Sequence, residues 1–272
     1  MKNRLMAKVR EAKRKRRKLF CAFLTLGYPG LQATENLIKA FEKEGVDILE
    51  LGFPFSDPLA DGPTIQFSSE HAIRQGVQLE DAFRLVSKLR RDGLRMPVLF
   101  FTYANPVFHF GWKKFVSEIK ASGFDGVIVP DLPPDEEKTL QKECRKKKLC
   151  QVFLVTPTTT PARARMITRA SEGFIYYVSL RGVTGARKAL PADIRNHLRK
   201  LTRLSSKPVL VGFGISTPDQ ARDMSRISGG VIVGSAIIEA LRHAEGRPDP
   251  ALHLVRRLSL AVHGKRHDPP RS

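Results

Sequence analysis

The sequence predicts one (β/α)8 barrel domain over residues 1–272, with an extra basic helix over 1–18 and a frayed tail over 264–272. Three observations carry that expectation. Eight short apolar runs, rich in β-branched residues, recur at 19–26, 46–52, 97–103, 126–130, 151–155, 174–179, 208–212 and 230–234. They are nearly continuous rather than alternating, the pattern of parallel strands covered on both faces. Between them lie stretches of helical periodicity, such as Leu37, Ile38 and Phe41, or Leu79, Phe83, Val86 and Leu89. Eight such units in about 250 residues suit a closed α/β TIM barrel better than an open doubly wound sheet.

Taken in order, the chain opens with ten Lys or Arg in its first 20 residues against Glu11 alone. That segment reads as a solvated helix, and its removal over 8–18 is expected to leave any chemistry intact. Strand 1 is LFCAFLTL and strand 2 is VDILELG. The interval to strand 3 is nearly doubled by FPFSDPLADGPTIQFSSEHAIRQG, a long loop at the strand end where barrels carry their chemistry. Further on, Pro161 to Gly173 and Thr217-Pro218 to Gly229 have the start and stop signals of helices.

Composition sets outer bounds. With 42% hydrophobic residues the chain can bury a full core. Its apolar runs fall short of the roughly 18 residues that span a bilayer. The N-terminus lacks the apolar segment of a secretory signal, so a cytoplasmic location is expected, with no membrane partner. Cys21, Cys144 and Cys150 have no zinc spacing and read as buried or inert thiols. The seven His fall on helical or terminal stretches, His109 in a loop after strand 3, so no metal is expected. The net charge of +20 attracts anions in general, but nothing interleaves aromatics with the basic residues, and no specific nucleic-acid role is expected.

Glu50 is the first chemical candidate, because a carboxylate inside an apolar strand costs several kcal/mol unless it is paired or protonated. Ile48, Glu50 and Gly52 share one face, and burial there would raise the Glu50 pKa toward neutrality. A buried Glu satisfied by a Lys or by backbone amides is the structural alternative. Asp57 and Asp61 sit on the stiffened loop SDPLADGPT, where turn chemistry also accounts for them. GFGIS (Gly212–Ser216) and GSA (Gly234–Ala236) end the last two strands and could seat a phosphate, with the helix N-terminus after Gly234 helping. RGVTGARKAL (Arg181–Leu190) reads as a lid or as an ordinary flexible loop.

LELGFPFSDPLADG (Leu49–Gly62) resembles the signature of the tryptophan synthase alpha chain family. So, in order and at family spacing, do FLTLGYPG, GPTIQ, YANPV, VPDLPPDE, YYVS with GVTGAR, GFGIS and GSAI. The resemblance implies cleavage of indole-3-glycerol phosphate to indole and glyceraldehyde 3-phosphate, with no cofactor in this chain. It implies Glu50 as general acid/base and Asp61 as partner of the ring nitrogen. It places Phe23, Phe101, Tyr103, Ile128, Leu154, Tyr176 and Phe213 around the substrate, with Thr184, Gly185, Gly214, Gly234 and Ser235 toward its lid and phosphate end. It further implies a β-chain partner holding PLP in an α2β2 heterotetramer, met through Pro54, Asp57 and the loop around Asn105 and Pro106. The basic charge balance departs from a family that tends to be acidic to neutral. Two alternatives remain: another phosphate-binding barrel enzyme of amino-acid biosynthesis, or a basic anion- or nucleic-acid-binding barrel without catalysis.

Overall fold

The computed structural model describes residues 3–178, 192–212 and 214–264, and only the backbone of 192 and 193. Its first half contains α1 (Arg4–Arg14), β1 (Leu19–Thr25), α2 (Leu31–Lys43), β2 (Ile48–Gly52), α3 (Pro63–Arg74) and α4 (Leu79–Arg91). Then come β3 (Val98–Phe101), α5 (Ala104–Phe110), α6 (Trp112–Ser122), β4 (Gly126–Ile128), α7 (Lys138–Lys147), β5 (Cys150–Val152) and β6 (Leu154–Val155). The chain continues through α8 (Pro161–Ala170), β7 (Ile175–Val178), α9 (Ala192–Leu204) and β8 (Val209–Gly212). It ends with α10 (Pro218–Ile227), β9 (Gly230–Val233), α11 (Ser235–His243) and α12 (Asp249–His263).

Every strand pairing is parallel, and the sheet runs β5-β4-β3-β2-β1-β9-β8-β7-β6. Its two ends, β5 and β6, are joined only through Phe153, so they are halves of one stave and the sheet closes as an eight-stave barrel. The single strand expected over 151–155 is therefore split. The Phe153 amide donates to Ser171 Oγ at 3.0 Å instead of to a neighbouring strand.

The two faces of each strand bury against different layers. Phe20, Ala22, Leu24, Leu49 and Leu51 pack outward against the helices. Leu19, Cys21, Phe23, Ile48, Leu99, Phe101, Ile128, Val152, Leu210 and Ile232 fill the barrel interior. This two-sided burial is why the strands read as continuous apolar runs. Helix starts follow their sequence signals: Thr160 caps α8 ahead of Pro161, and Thr217 forms a capping box with Gln220 at the start of α10.

The basic N-terminal segment is not a free arm. Leu5, Val9 and Ala12 of α1 are buried in the same inner cluster as Leu19 and Phe174, so this helix stops the N-terminal end of the barrel. Its cations are spent on buried acids: Arg4 pairs with Asp125 at 3.3 Å, while Lys8 at 3.7 Å and Arg17 at 2.5 Å pair with Asp47. Burial pushes the Asp47 carboxyl up, but the hydrogen bond from His263 at 2.8 Å and the nearby Arg17 outweigh it and hold the pKa below its ordinary value. The reading of this segment as a solvated helix is thus corrected, because Val9 and Ala12 are part of the core and deleting 8–18 would open it. His109, expected in a loop, lies in α5, whose Pro106 falls in the first turn where no amide donor is missed. Half of the insertion after β2 is likewise helix, α3, with Pro63 at its first position. Among the described residues no helix is long and apolar enough to cross a membrane.

Candidate active site

Period-two alternation in β2 turns Ile48, Glu50 and Gly52 toward the barrel axis, while Leu49 and Leu51 face the helices. Glu50 lies in register with Phe23 of β1 and Leu99 of β3, and it is fully buried. Neither a Lys nor backbone amides satisfy it. Cys21 Sγ, two residues before Phe23 on the same inner face, donates to Oε1 at 3.5 Å, and Oε2 has no hydrogen-bond partner. Burial pushes the Glu50 carboxyl up to about 8, with the thiol hydrogen bond acting weakly the other way. The result is a carboxylic acid that holds its proton at neutral pH.

The loop after β2 brings the second acid. Phe55 stacks on Tyr103 with ring centroids 5.4 Å apart, and the Ala60 amide donates to Tyr103 Oη at 3.1 Å. The Asp61 amide donates to Pro58 O at 3.2 Å and Gln66 Nε2 donates to Asp61 O at 2.9 Å, so the carboxylate rides on a braced turn. Burial raises the Asp61 pKa to about 6, against the opposing hydrogen bond from the Tyr103 hydroxyl. Burial, then the charges of Glu50, Cys21 and Asp61, push the Tyr176 hydroxyl well above its ordinary range. Tyr176 therefore lies within electrostatic reach of both acids. Asp57 is exposed on the outer part of the loop, and its carboxylate accepts from the Ser56 hydroxyl at 2.5 Å.

Apolar side chains line the barrel interior. Phe23 and Phe101 meet edge to face at 5.5 Å, and Ile128, Leu154 and Tyr176 belong to the same inner cluster. Glycines make room for two of the rings, Phe23 and Tyr176. A Cβ on Gly52 would lie 2.4 Å from Phe23 Cζ, one on Gly234 would lie 3.1 Å from Phe23 Cβ, and one on Gly212 would lie 2.8 Å from the Tyr176 hydroxyl. At the far end, Gly214 takes a left-handed φ of +56°. Gly234 precedes α11 without a side-chain cap, and Ser235 begins that helix, so first-turn amides are left for an anion.

The structure thus brings Glu50, Asp61, Phe23, Phe101, Tyr103, Ile128, Leu154 and Tyr176 to one end of the barrel, with Gly214, Gly234 and Ser235 at the ends of β8 and β9 beside it. Thr184, Gly185, the whole Arg181–Leu190 segment and Phe213 lie outside the described residues. Sequence reasoning passed over Cys21 as an inert thiol, and did not foresee that Gly52 and Gly212 make room for the Phe23 and Tyr176 rings. The signal for Cys21 was its two-residue offset from Phe23 on a strand beside Glu50. Among the described residues no group of three or more His, Cys, Asp or Glu is arranged to hold a metal ion.

This geometry has close counterparts. The family model described as tryptophan synthase alpha chain matches residues 9–261. The tryptophan synthase alpha chain of Shouchella clausii is 42% identical over 256 residues, covering 92% of this chain and 95% of the relative. The crystal structure of the tryptophan synthase alpha subunit from Legionella pneumophila superposes with a TM-score of 0.89 at 32% identity, covering 97% of this chain and 100% of that one. A chain of Mycobacterium tuberculosis tryptophan synthase superposes with a TM-score of 0.88 at 34% identity, over 97% of this chain and 99% of its own. The family match over residues 9–261 and the 42% identity to a relative covered almost end to end agree with the closed eight-stave barrel, and the chain belongs to the tryptophan synthase alpha chain family.

Proposed function

We propose that Glu50 and Asp61 are the acid–base pair with which this chain cleaves indole-3-glycerol phosphate to indole and glyceraldehyde 3-phosphate. Members of the family are carbon–carbon lyases of tryptophan biosynthesis that carry no cofactor, PLP residing in the β chain. The observation that carries the residue assignment is Glu50 fully buried inside the barrel with one carboxyl oxygen left unpartnered, an environment that raises its pKa.

The chemistry follows from the two environments. Asp61, ionised above about pH 6, accepts the indole N–H and stabilises positive charge as it develops on the ring. Glu50, neutral below about pH 8, delivers its proton to indole C3. The resulting Glu50 carboxylate takes the proton of the hydroxyl on the carbon attached to the ring. The bond from that carbon to C3 breaks, its electrons return to the ring to restore indole, and the aldehyde leaves as glyceraldehyde 3-phosphate. Phe23, Phe101, Ile128, Leu154, Tyr176 and Phe213 hold the flat ring by its faces and edges. Tyr103 braces Asp61, while Thr184, Gly185, Gly214, Gly234 and Ser235 hold the lid and phosphate end.

The α chains of this family pair with a β chain in α2β2 complexes, as in the tryptophan synthase of M. tuberculosis. For this chain we place that contact at Pro54, Asp57, Asn105 and Pro106. Leu59, 89% exposed, and Phe108, 67% exposed, stand beside them and give that surface an apolar component to bury. We also place the reaction in the cytoplasm.

The test is Glu50→Gln, which keeps the shape and removes the transferable proton. Indole release from indole-3-glycerol phosphate, measured with a β chain present, should fall ~10²-fold or more. Unchanged turnover would reject the assignment.

A further inference from the structure

At the opposite end of the barrel, the last turns of α8 and the loop leading from α9 into β8 enclose an open cleft of about 390 Å³. Arg165 and Arg169, one helical turn apart on α8, share its lining with Lys207 and Ser206 of the loop, and Leu204 supplies an apolar wall. No carboxylate lines it.

Two of the three cations there, Arg165 and Arg169, are unspent, while Lys207 is engaged by helix carbonyls and feels the charge of Glu172 just outside the cleft. On the same helix Arg163 is held by both oxygens of Asp135, at 3.0 and 3.1 Å. Among the described residues, by contrast, the guanidinium groups of Arg165 and Arg169 have no carboxylate and no hydrogen-bond acceptor. The negative end of the α8 dipole does not cancel them. Lys207 Nζ donates to the carbonyls of Thr168 at 2.6 Å and Arg169 at 3.3 Å and neutralises the helix end. The loop is also preformed, since the Ser205 hydroxyl donates to Lys207 O at 3.0 Å and accepts from the Lys207 amide at 3.1 Å. An acid-free cleft of this charge falls within the roughly 300–1,000 Å³ range of small-molecule sites, and paired guanidinium groups match phosphate oxygens in geometry.

We propose that this cleft binds a phosphorylated small molecule of nucleotide size, with Arg165 and Arg169 on the phosphates and Leu204 against the apolar part. Nothing in the lyase reaction requires it.

The experiment is calorimetric titration of the full-length chain with ATP, inorganic phosphate and a short RNA, at 0.15 M salt. Saturating glyceraldehyde 3-phosphate keeps the barrel's own phosphate seat filled. ATP should bind one to one, and the double variant Arg165→Gln/Arg169→Gln should weaken it at least tenfold while cleavage of indole-3-glycerol phosphate is unchanged. Ser206→Glu, which puts an acid into the cleft without removing either arginine, should weaken ATP to a similar degree. The proposal is overturned by undiminished ATP affinity in these variants, by no saturable ATP binding, or by RNA binding where ATP does not bind. Inorganic phosphate binding as tightly as ATP would also overturn it, as an adventitious ion only.

Discussion

Cys21 and Glu50 form a buried couple inside the barrel, thiol to carboxyl at 3.5 Å, on adjacent parallel strands. Burial and the neighbouring acid keep Cys21 a thiol, so it donates to Glu50 and favours the ionised carboxylate. Removing that donor in Cys21→Ala should move the alkaline limb of kcat/KM upward from about pH 8, whereas Cys21→Ser, which keeps a donor, should not. Rate profiles of the two variants decide it; identical limbs would strip the thiol of any role in tuning Glu50.

The wild-type profile itself should be bell-shaped. With the proposed roles, activity needs Asp61 ionised and Glu50 protonated, so it should rise through about pH 6 and fall through about pH 8. Stability should respond to Glu50 in the same direction. Its folded pKa is raised above the ordinary 4.5, so ionising it disfavours the fold, and its contribution to stability is lost as pH climbs from about 4.5 to about 8 and levels off above that. Urea melts at pH 6 and 9 should therefore show Glu50→Gln losing less stability than wild type over that interval.

Gly52 and Gly212 are spacers for aromatic rings. A methyl group at Gly52 would have to displace the Phe23 ring, and one at Gly212 the Tyr176 ring, because both contacts fall below 3.0 Å. Each Gly→Ala variant should cost about 1–3 kcal/mol in stability from overpacking. It should also raise KM for indole-3-glycerol phosphate, because the displaced ring belongs to the wall of the substrate space. Denaturant melts and steady-state kinetics would separate the two effects; an unaltered KM would remove those rings from the binding surface.

The α1 helix should matter through its apolar face. Leu5 is fully buried, and Leu5→Ala should cost about 2–5 kcal/mol in global stability. Replacing the unpaired Lys13 of the same helix should leave stability within about 0.5 kcal/mol, as expected for an exposed position. Equal melting of the two variants would mean that charge, not packing, is what this helix contributes.

Much of this molecule was legible in its sequence. The barrel could be counted because parallel staves buried on both faces leave long apolar runs, and Glu50 stood out because a lone carboxylate in such a run demands an explanation. The break at Phe153 could not be read, since hydrophobicity does not reveal that one amide turns aside to Ser171. Cys21 was overlooked because a thiol in a strand resembles any small apolar residue until its neighbour is known. The N-terminal charge was misread because the counterions of Arg4, Lys8 and Arg17 are Asp125 and Asp47, 30 to 121 positions away in the chain, and counting charges conveys nothing about such distant partners.

The stopper at the base of the barrel also dictates a sequence of events during synthesis. Asn3 donates to the carbonyls of Asp125 at 2.7 Å and Lys148 at 3.0 Å, and Leu5 meets Gly173. This helix therefore has no seat until the chain through Gly173 has followed it out of the ribosome, and His263 reaches Asp47 later still. Until then the apolar stripe of Leu5, Val9 and Ala12 has no core to join and lies among ten Lys and Arg, the kind of charged surround that keeps apolar surface from associating.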